Sequence, residues 1–320
     1  MRWDAAKELG SARGLAFLFW VYRLFGRWPY RLFAAPVVLW AFAFKPVARR
    51  ASIGYLNRAL KRPAGAADCL RLFFSFADSI LDKCIAWNRG FNLADVEYHG
   101  LEVFNKVLAS GRGCVLIVSH LGTLEVGRAL SSKLHPGLEL QVLMHTRHAE
   151  NFNRILKQLD PSSQMNLHQV ADLDAGMAAF LSQRLERGAV VVVAGDRVPI
   201  GAGQRVGAAA FLGRDADFPQ GPYILAAALG CPILLSFCLR RPHGPKTFDL
   251  YFEPFEERLA LPRKGREQAL EALIGRYAAR LEHYCALAPF QWYNFHPFWR
   301  ERPAPSGPGR SREVHKEETP

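Results

Sequence analysis

His120 and Glu125 are the two side chains of this sequence whose types and spacing point most directly to chemistry. A carboxylate that holds an imidazole orients it as a base, and such a pair removes a proton from a hydroxyl group. On a straight helix, residues five apart point about 140° away from each other, so the two side chains meet only if His120 precedes the helix. The spacing alone also fits a simpler interpretation, in which His120 bonds to backbone at a strand end and Glu125 is an exposed helical residue.

The residues around this pair predict a strand, a turn and a helix. Val115–Val118 is a run of four apolar β-formers, and the polar and glycine-containing residues 119–122 break it. Apolar residues then recur at helical spacing from Thr123 onward. His120 is therefore expected at the carboxyl end of a buried strand, just before a helix. Ser119 is interpreted as a turn residue, and the backbone N–H groups near residues 122–124 are candidate donors to an oxyanion.

Further polar residues follow other apolar runs in the same way. Arg147 and Asn151 come after a strand-like run over 138–145, and Asp196 with Arg197 follows the β-branched run 189–194, which is typical of a strand buried on both faces. In α/β sheets, ligands gather beyond the carboxyl ends of the strands. The shared placement of these residues predicts one site.

Each of these residues also has a structural interpretation. Arg147 fits either a charged contact with substrate or a surface ion pair, and Asp196 fits either a substrate contact or the ordering of its loop through a nearby arginine, Arg197 or Arg205. Gly221 either lets the backbone approach a substrate or begins a helix. The aromatic residues near the carboxyl end are interpreted as core or as the lining of an acyl tunnel: Trp292, Tyr293 and Phe298.

Strand-like and helical patterns alternate through the centre of the chain and predict an α/β fold, with a central, mixed but mostly parallel sheet flanked by helices. We divide the 320 residues into three parts. Residues 1–62 form a basic, apolar helical segment, and residues 63–300 form the α/β domain. Residues 301–320 carry no apolar pattern and are expected to be a disordered tail.

The net charge of +12 lies almost entirely in the first of these parts. Residues 1–62 hold twelve of the 41 Lys and Arg residues but only two of the 29 acidic ones, and they are rich in Phe and Trp. This composition favours an anionic membrane surface over nucleic acid as the partner. The longest uncharged stretch there, residues 32–44, is shorter than the about 20 residues that cross a bilayer. It predicts a helical hairpin lying in the membrane interface, with two core helices of a soluble domain as the alternative.

The six cysteines and ten histidines show neither a C-x-x-C pair nor a metal-ligand spacing. This pattern predicts buried, reduced thiols in a cytosolic setting, without disulfides or a zinc site. No metal and no cofactor are expected for the proposed base chemistry.

Five blocks of the sequence, taken in order over roughly residues 10–300, resemble the bacterial lipid A biosynthesis acyltransferases within the glycerolipid acyltransferase superfamily. His120-x4-Glu125 is similar to the superfamily's catalytic motif. The closing block differs from the family's usual basic run, and Gln220 stands where the superfamily often has Glu. The other blocks are Arg147-x3-Asn151; Gly195-Asp196-Arg197; Phe211-Leu212-Gly213 with Phe218-Pro219-Gln220-Gly221; and Gln291-Trp292-Tyr293 with Phe298-Trp299-Arg300.

The resemblance implies an O-acyltransferase at the cytoplasmic face of the cell inner membrane. It would move a fatty acyl group from a thioester donor, acyl carrier protein or coenzyme A, to a hydroxyl of a lipid or glycolipid acceptor. His120 is then the general base, with Glu125 fixing its tautomer. Two alternatives stay open, a thioesterase that uses the same pair on water and a catalytically silent membrane-binding scaffold. The implied substrate-binding residues are Arg147, Asn151, Asp196, Arg197 and Gly221.

Overall fold

The computed structural model describes residues 12–88, 90–144, 165–170, 174–198 and 205–300. Its first part is helical: α1 (Ala12–Phe25), α2 (Arg27–Phe44), α3 (Pro46–Ala59) and α4 (Ala66–Trp87). Gly26 joins α1 to α2 with a φ of 81°, a conformation that favours glycine. Among the described helices, no single one is long and apolar enough to cross a membrane, and only α2 and α3 together, bent by 90°, pass that test.

One face of α2 packs on α4, and the other is left exposed. Tyr30 and Ala34, one helical turn apart, form a small core with residues of α4, and Val38 and Ala41 form a second one. The large apolar side chains that α1 and α2 leave exposed include Phe17, Trp20, Leu24, Phe25, Trp28, Leu32, Phe33, Val37, Leu39, Trp40 and Phe44.

The sheet and its helices occupy the rest of the described chain. In chain order the elements are β1 (Val96–His99), α5 (Leu101–Ala109), β2 (Val115–Val118), α6 (Leu124–Leu134), β3 (Leu140–Met144), β4 (Met165–Gln169), α7 (Ala175–Leu185), β5 (Val190–Ala194), β6 (Val206–Phe211), β7 (Arg214–Pro219), α8 (Gly221–Leu229), β8 (Ile233–Arg240), β9 (Phe248–Glu256) and α9 (Arg266–Leu287).

Seven strands form the main sheet in the order β1-β9-β8-β2-β5-β3-β4. The strands β8, β2, β5, β3 and β4 run parallel, whereas β9 is antiparallel to β8 and parallel to β1. A separate antiparallel pair, β6 and β7, lies against α9. The predicted α/β fold, with a mostly parallel mixed sheet flanked by helices, is confirmed.

Successive residues of the central strands point to opposite faces of the sheet, as the strand geometry requires. In β2, Val115 and Ile117 join the core that contains α7, α8 and α9. Leu116 and Val118 join the core that contains α5 and α6. The central strands are therefore covered on both faces. Because β2 and β5 are parallel neighbours with Val118 opposite Ala194, the residues that follow them emerge side by side.

Candidate functional site

His120 leaves the carboxyl end of β2 and is held by one carboxylate at two of its atoms. Its backbone N–H donates to Oδ2 of Asp196 at 2.8 Å, and its ring Nδ1 lies 2.8 Å from Oδ1 of the same residue. An ionised carboxylate can only accept hydrogen bonds, so Nδ1 carries the proton. The ring is thereby fixed in the tautomer whose Nε2 has a lone pair. That is the state of a histidine ready to act as a base.

Asp196 is buried, with 1% of its side chain exposed, at the carboxyl end of β5. Burial acts to raise its pKa, but the electrostatic interaction with His120, the hydrogen bonds from that residue and the charge of Arg197 outweigh burial and bring the pKa to about 2. Asp196 is therefore ionised at neutral pH. Gly195 lets the chain make this turn, because a Cβ there would lie 2.7 Å from Ile117 and 2.8 Å from the ring of Tyr277.

A third hydrogen bond to this carboxylate comes from Trp292 and was not predicted from the sequence. The indole Nε1–H of Trp292 donates to Oδ2 of Asp196 at 3.0 Å. Trp292 is 1% exposed and packs edge-on against Tyr55, Phe211 and Phe298, so it is a core residue that also supports the site. One signal in the sequence pointed to this role: Trp292 lies in an aromatic cluster, within the block that resembles the family's closing block.

The structure pairs Glu125 with two cations and not with His120. Glu125 lies in the first turn of α6, where Oε1 is 3.2 Å from Nζ of Lys83 and Oε2 accepts from Nε of Arg128 at 3.2 Å. Burial acts to raise the pKa of Glu125, but these two cations lower it below its usual value. The expected hydrogen bond from the ring of His120 to Glu125 is thus not formed, because Nδ1 of the ring donates to Asp196.

The turn after His120 is fixed by backbone bonds to neighbouring elements. Gly122 has a φ of 75° and a Cβ there would lie 2.0 Å from the carbonyl oxygen of Cys238. The N–H of Gly122 donates to the carbonyl of Gln291, and that of Thr123 to the carbonyl of Cys238, each at 2.8 Å. These two amides are already bonded and are not available to an oxyanion, whereas the third candidate donor, the amide of Leu124, stays a prediction. Ser119 is buried and its Oγ accepts from Leu121 N at 3.3 Å, as expected of a turn residue.

Of the remaining predicted site residues, two lie among the residues that the structure describes and two do not. Arg197 donates from Nη2 to the carbonyl of Tyr293 at 2.8 Å, and burial lowers its pKa. Gly221 begins α8, and a Cβ there would meet nothing within 4 Å, which favours its interpretation as a helix start. Arg147 and Asn151 lie outside the described residues.

His120, Glu125, Arg197 and Gly221 all line one cavity of about 640 Å³. Small-molecule sites commonly have volumes of about 300–1,000 Å³. Its walls are mostly apolar and come from the central strands, α6 and α8, and His120 and Arg197 stand just beyond the ends of β2 and β5. The lining includes Phe104, Leu116, Val118, Leu124, Leu140, Val142, Leu143, Met144, Leu167, Val192, Ala194, Ile224, Leu225, Arg128, Asp174 and Arg205. An oriented imidazole at the wall of an apolar cavity is suited to chemistry on a long apolar substrate.

Comparison with known families gives one match. The family described as bacterial lipid A biosynthesis acyltransferase matches residues 83–301, more than half of the 320-residue chain. The matched span contains His120, Glu125 and Asp196, whereas α1, α2 and α3 precede it. This match confirms the resemblance seen in the five blocks. No curated protein is significantly similar to the chain.

Proposed function

The chain belongs to the bacterial lipid A biosynthesis acyltransferase family and is an acyltransferase acting on a lipid acceptor, and on this premise we propose its donor, its base and its place at the membrane. The donor is a thioester of acyl carrier protein or of coenzyme A, and the acceptor is a hydroxyl group of a lipid or glycolipid. The observation that carries the proposal is the hydrogen bond of 2.8 Å between His120 and Asp196 at the wall of an apolar cavity.

In the first step, Nε2 of His120 takes the proton of the acceptor hydroxyl. The hydroxyl oxygen forms a bond to the carbonyl carbon of the thioester, and the carbonyl electrons move onto its oxygen. Asp196, ionised and bonded to Nδ1–H, stabilises the imidazolium that results. Base assistance of this kind typically contributes about 10²–10⁴-fold to the rate.

In the second step, the carbon–sulfur bond breaks and the carbonyl re-forms. The leaving sulfur takes the proton from Nε2, so the products are an ester and a free thiol, and His120 returns to its starting state. The route needs no covalent acyl-enzyme, and Ser119 remains a turn residue. Transfer to water in the same way would make the chain a thioesterase, so the product distinguishes the two.

Arg197 is the proposed donor to the negatively charged oxygen of the intermediate. Arg197 lines the cavity, and the bond from its guanidinium to the carbonyl of Tyr293 uses one of five N–H donors. A fixed cation in a site from which water is excluded stabilises developing negative charge more strongly than it would in water. Arg147 and Asn151 remain predicted contacts of the substrate.

The role that we propose for Glu125 differs from that of Asp196, which holds the ring of His120. Glu125 fixes Arg128 along the cavity wall and keeps the charge of Lys83 nearby, so the three side chains together carry one net positive charge. A positive charge at this wall favours an anionic group on the donor or the acceptor. The acyl chain itself fits the apolar walls, where each buried methylene contributes about 0.8 kcal/mol.

The exposed face of α1 and α2 is the proposed membrane-binding surface. Trp28 is 81% exposed, Leu32 70% and Phe44 67%, which is unusual for side chains of this size. Arg23, Lys45 and Arg50 lie on or beside these helices, where cations favour anionic headgroups. The chain would thus lie on the cytoplasmic face of the inner membrane, with its helices in the interface.

Vesicle binding tests the membrane surface. Replacing Trp28 and Leu32 together by Ser should weaken sedimentation of the full-length protein with vesicles that contain anionic lipid. Leu287, 57% exposed on α9, gives the matched control, because Leu287→Ser removes a similar exposed side chain elsewhere. Equal sedimentation of both variants would argue against this surface.

A product assay tests the reaction itself. Full-length protein is incubated with an acyl thioester and a hydroxyl-bearing lipid, and the lipids and thiols are identified by mass spectrometry. We expect one acylated lipid for each thiol released. Free fatty acid in place of acylated lipid would indicate the thioesterase, and vesicle binding without thiol release would indicate the silent scaffold.

A further inference from the structure

Asp82 is a buried carboxylate that joins the N-terminal helices to the sheet. It lies on α4 with 1% of its side chain exposed. Its Oδ1 accepts from Nη2 of Arg27 on α2, and its two oxygens accept from Arg240 at the end of β8, with 2.7 Å between Nε of Arg240 and Oδ2. A charge buried this deeply is tolerated only when it is paired. Removing Asp82 would therefore leave Arg27 and Arg240 without the carboxylate that they share.

Arg240 is in turn held by the side chain of Gln291. The Oε1 atom of Gln291 accepts from the backbone N–H of Arg240 at 2.9 Å, and its Nε2 donates to the backbone carbonyl of Arg240 at 2.7 Å. One amide side chain thus satisfies both backbone groups of the last residue of β8. This pairing fixes the place of Gln291 relative to the sheet.

The backbone of Gln291 reaches the turn that carries His120. Its carbonyl accepts the N–H of Gly122 at 2.8 Å, two residues after His120. On the other side of the turn, Cys238 of β8 accepts from Thr123 and leaves no space for a side chain at Gly122. The residue after Gln291 is Trp292, the donor to Asp196. Gln291 therefore contacts the turn that carries His120, and the residue after it, Trp292, holds the carboxylate of Asp196.

We propose that Asp82, Arg240 and Gln291 are positioning residues, and that the unbroken series of contacts from Arg27 through them to Gly122 sets the position of the His120 turn from the N-terminal helices. This inference rests on the proposed role of His120. Arg27 and Asp82 precede residues 83–301, so the family match does not cover this end of the series. A misplacement of about 1 Å at a reacting group costs up to about 10²-fold in rate.

Asp78 provides a matched control one helical turn earlier on α4. It also anchors α2, with Arg31 donating from Nη2 to Oδ2 at 2.7 Å and from Nε to Oδ1 at 3.1 Å. Its carboxylate lies 3.5 Å from Arg27 and 2.7 Å from Arg31, both on α2, and among the described residues it contacts no residue of the sheet. Arg27 keeps its shorter bond to Asp82, at 2.5 Å, when Asp78 is replaced. A purely structural role would make the two aspartates equivalent.

The experiment compares Asp82→Asn and Asp78→Asn in the full-length protein. For Asp82→Asn we expect kcat to fall about 10- to 100-fold, with the KM for the thioester within about twofold, and amide exchange over residues 119–123 to become faster. For Asp78→Asn we expect a lower Tm, a kcat within about twofold of the wild type and unchanged exchange over those residues. An equal loss of kcat in both variants, or none in Asp82→Asn, would overturn the proposal.

Gln291→Ala keeps the test decisive if Asp82→Asn does not fold, because it leaves no buried charge unpaired. It should reproduce the loss of kcat and the faster exchange, and a wild-type value for both would again overturn the proposal. Amide exchange also separates this inference from the proposed base. If His120→Ala stayed active, the proposed function would fail while the exchange pattern of the Asp82 variant still held.

Discussion

The Nδ1 atom of His120 lies 2.8 Å from Oδ1 of Asp196, although 76 residues separate the two in the chain. They meet because each follows a strand, and the two strands, β2 and β5, are parallel neighbours. The same carboxylate also accepts the backbone N–H of His120 and the indole N–H of Trp292. Asp196 therefore fixes the ring, its tautomer and the backbone beneath it.

Asp196→Asn should be much more damaging than Glu125→Gln. An amide at 196 can donate as well as accept and no longer fixes the tautomer, so we expect kcat to fall about 10²–10⁴-fold. Glu125→Gln leaves Asp196 in place and removes the counter-charge of Lys83 and Arg128. For this variant we expect a smaller fall in kcat, roughly 5- to 30-fold, which corresponds to about 1–2 kcal/mol. The measurement is kcat for acyl transfer, with circular dichroism to show that both variants are folded. A larger fall in kcat for the Glu125 variant than for the Asp196 variant would indicate that Glu125 orients the ring.

Trp292→Phe tests the indole bond to the buried carboxylate. We expect the variant to lose about 1 kcal/mol of stability for the missing hydrogen bond and a few-fold to about tenfold in kcat, because Asp196 is held less firmly. Trp299→Phe is the matched control, since its Nε1 donates to the carbonyl of Phe211 at 2.8 Å and does not contact Asp196. That variant should lose stability without a comparable loss of kcat. Equal losses of kcat would show that the indole bond to Asp196 has no special role.

The pKa of Asp196 predicts how stability depends on pH. In the folded protein this pKa is about 2, below the ordinary value of 3.8. Its contribution, about 2 kcal/mol, is therefore present above pH 4 or so and is lost as the pH falls towards 2. The free energy of unfolding should thus differ less between the wild type and Asp196→Asn near pH 3 than at pH 6. A difference that did not change with pH would contradict the low pKa.

Much of the fold could be predicted because it depends on local pattern. The continuous apolar runs of β2 and β5 predict buried central strands, and both are buried on both faces of the sheet. The six cysteines are free and buried, as their spacing and apolar neighbours indicated. The position of His120 at a strand end follows from the same local signals.

The strands β6 and β7 could not be predicted from pattern. The small residues of β6 and the charged residues of β7 show no alternation of apolar and polar side chains. The two strands form because they pair with each other, and Gly207 lets them approach Ile274 of α9, where a Cβ would lie 2.5 Å from its Cδ1. Such pairing is a property of the tertiary fold and leaves little trace in the sequence.

The pairing of His120 with Asp196 could not be predicted for a related reason. Glu125 is near in sequence, whereas Asp196 and Trp292 become neighbours only because the sheet places β5 beside β2 and brings the carboxyl-terminal segment against them. The order of elements along the chain does not reveal the order of strands in the sheet. Local patterns therefore place His120 and Asp196 at strand ends, but the carboxylate nearest to His120 in the sequence, Glu125, is not the one that bonds to its ring, which is Asp196.

The most direct measurement is the single-turnover rate of acyl transfer by full-length His120→Ala, with the thioester donor and the lipid acceptor in excess of KM. Removing the imidazole removes the base while Asp196 keeps its bond to Trp292, so the fold and the binding of donor should be retained. We predict a rate lower by about 10²–10⁴-fold in protein with a wild-type circular dichroism spectrum. A folded variant that transfers acyl groups at the wild-type rate would contradict the account.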